Sequence, residues 1–223
     1  HGLLSHHLFR RADAEDDAQP AFTVVHAPGF QAVPEVDGTQ GSAFVVFHPA
    51  ARLVYVGGSS YGGELRRAVL TMAAALLPDE VLPLRAAANL SADGEGPAAL
   101  FLGRTGNGKT ALALDPERRL LADHAVTWGP QGLSAAEGGV YASVLGLEAV
   151  AEPQVHRGAG GFGAVLENVA VTPGARQVDF ADDSLAVNTR VAFPRSAFPE
   201  AVSGAVGHPA HAFLITRDLY GVL

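Results

Sequence analysis

Eight consecutive residues, Gly103-Arg104-Thr105-Gly106-Asn107-Gly108-Lys109-Thr110, match the spacing G-x-x-x-x-G-K-[ST] without a gap. That spacing suits phosphate chemistry. Glycines let the backbone close on an anion, so that successive N–H groups and the start of a following helix meet its negative charge. In this reading Gly103, Thr105, Gly106, Asn107 and Gly108 form the cradle. Lys109 neutralises the β- and γ-phosphate oxygens of a nucleotide such as ATP, and the Thr110 hydroxyl joins the shell of a phosphate-bound Mg²⁺. The chain has 26 glycines, which makes chance spacings commoner, but of its 15 Lys and Arg residues the single lysine is Lys109. A compact point charge stands where the motif needs one.

The neighbouring elements fit. Residues 98–103 form an apolar strand running into the loop, and Thr110 to Leu114 read as the helix after it, the order a P-loop requires. Asp123 lies fourteen positions after Lys109, behind the apolar Leu120-Leu121-Ala122. There a carboxylate could hold Mg²⁺ through water, or could serve as a cap or turn residue. Upstream, short β-branched and aromatic runs at 22–25, 44–47 and 53–56 read as strands. Leu65, Val69, Met72 and Leu76 recur at helical spacing from Gly62 to Leu77, before Pro78. Further strands are expected at 165–171 and 212–216, with a hairpin over 178–188 turning at Asp182-Asp183. The acidic stretch around Asp13, Glu15, Asp16 and Asp17 reads as an exposed connection.

Composition excludes several classes. A net charge of -8 argues against a nucleic-acid or membrane-surface partner, which calls for a basic face. With no cysteine, thiolate metal sites, disulfides and cysteine nucleophiles are impossible. The longest apolar stretch, Ala68 to Leu77, falls far short of the roughly 20 residues that span a bilayer. The first ten residues lack the apolar core of a secretory signal, so the expected location is the cytoplasm.

Beyond the loop, the chain resembles the central part of the ATP-dependent phosphoenolpyruvate carboxykinases. The resemblance rests on Tyr61-Gly62-Gly63-Glu64, Asp115-Pro116-Glu117-Arg118-Arg119-Leu120, Glu137-Gly138-Gly139-Val140-Tyr141-Ala142, Leu166-Glu167-Asn168-Val169, Asn188-Thr189-Arg190 and Leu219-Tyr220-Gly221-Val222-Leu223. It implies an α/β fold, a mixed sheet from residues 1–80 followed in 81–223 by the first half of a P-loop mononucleotide-binding sheet of the carboxykinase type. It also implies ATP, Mg²⁺ and a second divalent ion, with Glu167 and Arg190 near substrate and phosphates. The ligands of the second ion fall at Arg67, Arg85 and His124. A guanidinium offers no lone pair, so Arg67 and Arg85 are read instead as anion-binding groups, and His124 alone is a weak ligand set.

Three functions compete on these grounds. The first is a nucleotide- or phosphate-binding protein that is no longer a carboxykinase and transfers phosphate to another acceptor; bacterial serine kinases with this type of P-loop supply the analogy. The second is a non-catalytic interaction protein docking a partner chain or a second copy. The third is a carboxykinase fragment completed by another chain.

Overall fold

The computed structural model describes residues 2–10, 19–172, 174–175, 177–198, 200–216 and 221. The acidic stretch at 13–17 and most of 219–223 lie outside them. The chain divides into two compact units: residues 1–5 with 11–83, and residues 6–10 with 84–223. A seven-residue helix, α1 (Gly2–Leu8), begins the chain.

The first unit holds β1 (Thr23–Ala27), α2 (Pro34–Asp37), β2 (Phe44–His48), β3 (Leu53–Gly57) and α3 (Gly62–Leu76). Its sheet has the order β1-β3-β2, parallel on one side of β3 and antiparallel on the other, the mixed sheet expected of this segment. Val54 and Val56, two apart on β3, point to one face, where Ala68 and Met72 of α3 bury them; Phe22, Val24, Val45 and Leu76 complete the cluster. Period 2 on the strand meets period 3.6 on the helix. The helix closes with the Leu77 amide donating to Ala73 O at 2.8 Å, before Pro78, which cannot continue it.

The second unit contains β4 (Leu82–Ser91), β5 (Ala98–Gly103), α4 (Lys109–Ala113), β6 (Arg118–Ala122), β7 (Ala125–Gly129), β8 (Gly132–Ala135), β9 (Gly139–Ser143), α5 (Pro153–Ala159), β10 (Val165–Glu167), β11 (Ala170–Val171), β12 (Val178–Asp179), β13 (Arg190–Pro194), β14 (Ala205–Val206) and β15 (Pro209–Ile215). A seven-stranded sheet runs β14-β8-β7-β4-β5-β15, with β6 also paired to β4. β5 lies antiparallel to β4 and parallel to β15. Every residue from Ala98 to Leu102 is apolar because both faces are covered: Ala98 and Leu100 enter one core, Ala99 and Phe101 the other. A separate antiparallel sheet, β10-β13-β9, sends Val140, Ala142, Val191 and Phe193 into the second of these cores.

Two expectations fail locally. Residues 165–171 are two short strands, because Asn168 takes φ +59°, a left-handed conformation that ends extended pairing. The 178–188 segment is not a hairpin: β12 pairs with β11, and Asp182 and Asp183 lie outside any strand.

Candidate functional site

The site is built where β5 ends. Gly103 has φ +148°, and a Cβ there would come within 2.5 Å of Ile215 O on β15. The chain can turn out of the sheet this close to its parallel neighbour only without a side chain. Gly106 and Gly108 also have positive φ, +86° and +82°, and a Cβ on either would meet nothing within 4 Å. Their requirement is conformational, and the space above them is open. Gly108 is the N-cap of α4. The loop tip is tied down by Asn107, whose Nδ2 donates to Ile215 O at 2.9 Å, while Thr105 is exposed.

Lys109 is buried although it carries a charge. Its ammonium donates to Gly103 O at 2.7 Å and Arg104 O at 2.8 Å, carbonyls of its own loop. Burial pulls its pKa below the ordinary 10.5, and the nearby Asp123 charge pulls it partly back. Carbonyl dipoles replace only part of the lost hydration.

Thr110 and Asp123 meet. The Thr110 hydroxyl donates to Asp123 Oδ1 at 2.5 Å, and Tyr141 N donates to Oδ2 at 3.1 Å. Asp123 is 2% exposed and sits in the two-residue break between β6 and β7. His124 is the other residue of that break and is half-buried. Among the described residues no cluster of three or more His, Cys, Asp or Glu side chains could hold a metal. The hydroxyl–carboxylate pair beside a lysine still provides the oxygen donors a phosphate-bound Mg²⁺ takes.

Three residues that spacing did not single out fix this geometry. Glu137, 3% exposed, accepts from the amides of Asp123 at 2.6 Å and His124 at 2.9 Å on one oxygen and of Ala125 at 3.2 Å on the other. Asn89, fully buried, donates to Leu112 O at 3.0 Å at the end of α4 and accepts from Arg118 Nε at 2.7 Å. Tyr141 extends the network from Asp123 toward Glu167: its hydroxyl donates to Glu167 Oε2, and Arg190 lies 5.8 Å from its ring centroid. A glutamate directly before two glycines was the visible signal for the first. A Cβ on Gly138 would strike Phe9 O at 2.4 Å, and one on Gly139 would strike His7 O at 2.5 Å.

Arg67 and Arg85 are both exposed. Arg67, in the first unit, pairs with Glu64 and lies 6.0 Å from the Tyr61 ring centroid. Arg85 projects from β4 in the second unit.

Fold and site thus define a mixed α/β protein in which a glycine loop between strand and helix gathers a desolvated lysine, a hydroxyl and a carboxylate. The chain belongs to the phosphoenolpyruvate carboxykinase family, whose model matches residues 1–223. It is 46% identical over 225 residues to phosphoenolpyruvate carboxykinase (ATP) 2 of Moorella thermoacetica, covering 99% of this chain and 42% of that protein. It is 42% identical over 227 residues to phosphoenolpyruvate carboxykinase (ATP) of Geobacillus thermodenitrificans, covering 100% of this chain and 42% of the relative. To the enzyme of that name from Thermus thermophilus it is 42% identical over 231 residues, covering 100% and 43%. The chain therefore spans less than half the length of these relatives. Among the described residues no helix is long and apolar enough to cross a membrane.

Proposed function

We propose that the chain binds Mg-ATP through a P-loop, residues 103–110, and does not by itself perform the carboxykinase reaction. The observation that carries the binding half is the buried Lys109 ammonium, which donates to two carbonyls of its own loop and feels the charge of Asp123, the partner of Thr110. In this reading residues 1–80 correspond to the end of the family's N-terminal part and 81–223 to the first half of its nucleotide-binding part.

A bound Mg²⁺ would be held by Thr110 and Asp123 and would neutralise phosphate oxygens. Lys109 exchanges loop carbonyls for phosphate oxygens, recovering a charge-assisted hydrogen bond. Gly106 and Gly108 leave backbone N–H groups uncovered by side chains. Arg190 stabilises charge on the phosphoryl group, and Glu167 is its register partner across β10–β13.

The non-carboxykinase half rests on residue chemistry. The positions matching the second metal's ligands carry Arg67, Arg85 and His124, and two of the three cannot coordinate a cation. A guanidinium suits an anionic group rather than a cation, which makes phosphoryl transfer to a different acceptor the activity to seek. A second reading, an interaction protein, is favoured by β15. Among the described residues that strand borders its sheet, and Phe213 and Leu214, on opposite faces of it, are 50% and 75% exposed, apolar side chains of the kind a partner covers.

Calorimetric titration with Mg-ATP, run alongside an assay of CO₂ release from oxaloacetate, tests the proposal. Saturable binding without ATP-dependent decarboxylation is expected. Decarboxylation with added Mn²⁺ would restore the carboxykinase reading.

A further inference from the structure

Glu167 and Arg190 are register partners across the antiparallel β10–β13 pair. Opposite charges placed so attract each other and ordinarily pair. Here each is engaged elsewhere. Glu167 Oε2 accepts from the Tyr141 hydroxyl, Arg190 Nε donates to Asn188 Oδ1 at 2.9 Å, and the guanidinium lies over the Tyr141 ring. Tyr141 reaches both because Arg190 stands opposite Ser143, two residues along β9 from Tyr141 and so on the same face. Its side chain is 5% exposed, which fixes ring and hydroxyl.

We infer that Tyr141 is a positioning residue that holds Glu167 away from Arg190 and so keeps the arginine's charge available to an anionic ligand. The inference rests on the reading that Arg190 serves bound phosphate. The hydroxyl occupies the carboxylate with a neutral donor, and the ring gives the guanidinium a seat that does not cancel its charge. Without the hydroxyl, the Glu167 carboxylate turns to its cross-strand partner and the pair neutralises itself. The same tyrosine's amide holds Asp123, so one residue links the two ends of the site.

Tyr141→Phe removes the hydroxyl alone, keeping the ring beneath Arg190 and the amide on Asp123. Mg-ATP titrated into the 223-residue chain is expected to bind Tyr141→Phe about tenfold more weakly than wild type, the scale of one lost charged hydrogen bond. In a Glu167→Gln background the same substitution is expected to change nothing, because no carboxylate remains to capture Arg190. A hydroxyl that only supports packing would weaken binding equally in both backgrounds, and that result would overturn the inference. So would unchanged binding by the single variant. If wild type binds Mg-ATP and these variants behave otherwise than stated, the positioning role falls while the nucleotide reading stands. If wild type does not bind, both fall.

Discussion

The Thr110 hydroxyl donates to Asp123 Oδ1 at 2.5 Å, across thirteen residues of chain. This contact joins the start of α4 to the break between β6 and β7. Because Asp123 is almost fully buried, its oxygens depend on protein donors. Thr110→Val, which keeps the shape and removes the donor, is expected to lower unfolding stability by about 1–3 kcal/mol and to weaken Mg-ATP binding. Thr110→Ser is expected to restore most of both, as followed by urea denaturation and titration.

Glu137 holds three successive amides at 123–125 with one carboxylate. Glu137→Gln replaces one acceptor oxygen with an NH₂ that faces amide donors. A loss of about 2–3 kcal/mol is expected, the scale of hydrogen bonds to a charged group. Hydrogen exchange should then quicken at Asp123, His124 and Ala125 before it does in β5; uniform quickening would count against a local role.

Gly103 and Gly106 separate steric from conformational need. An added Cβ at Gly103 meets Ile215 O at 2.5 Å, whereas at Gly106 it meets nothing. Gly106→Ala should cost about 1–2 kcal/mol, the penalty of a left-handed backbone alone. Gly103→Ala should cost more and loosen β15 from β5. Equal costs, read from urea midpoints, would contradict this geometry.

The pH dependence follows from Lys109. Its pKa is lowered in the folded chain, with burial the larger cause. Between the folded value and the unfolded value near 10.5, the unfolded chain binds more protons, so this group's contribution to stability rises with pH through that window. Below the folded pKa its cost is constant. Lys109→Met removes the term, so the melting temperature of wild type relative to this variant should rise as pH climbs toward the unfolded lysine value near 10.5. A flat difference would mean that the ammonium is not desolvated.

Much of this arrangement is legible in the sequence because it is local. The all-apolar Ala98–Leu102 strand, the glycines and Lys109-Thr110 follow one another along the chain, and each obeys a backbone rule. Helix α3 is visible for the same reason, through Leu65, Met72 and Leu76. Glu137 and Asn89 act across many residues on backbone groups, and no spacing rule marks a side chain whose partners are amides or carbonyls elsewhere. Asn168 misled in the other direction: apolar neighbours suggested a continuous strand, and one positive φ broke it. Tyr141 reads as an ordinary strand aromatic until β13 brings Arg190 beside it.

The most direct test is calorimetric titration of Mg-ATP into the wild-type chain and into Lys109→Ala. The account predicts saturable binding with a stoichiometry near one (about one nucleotide per P-loop) that disappears in the variant. Equal binding by both proteins, or none by the wild type, would contradict it.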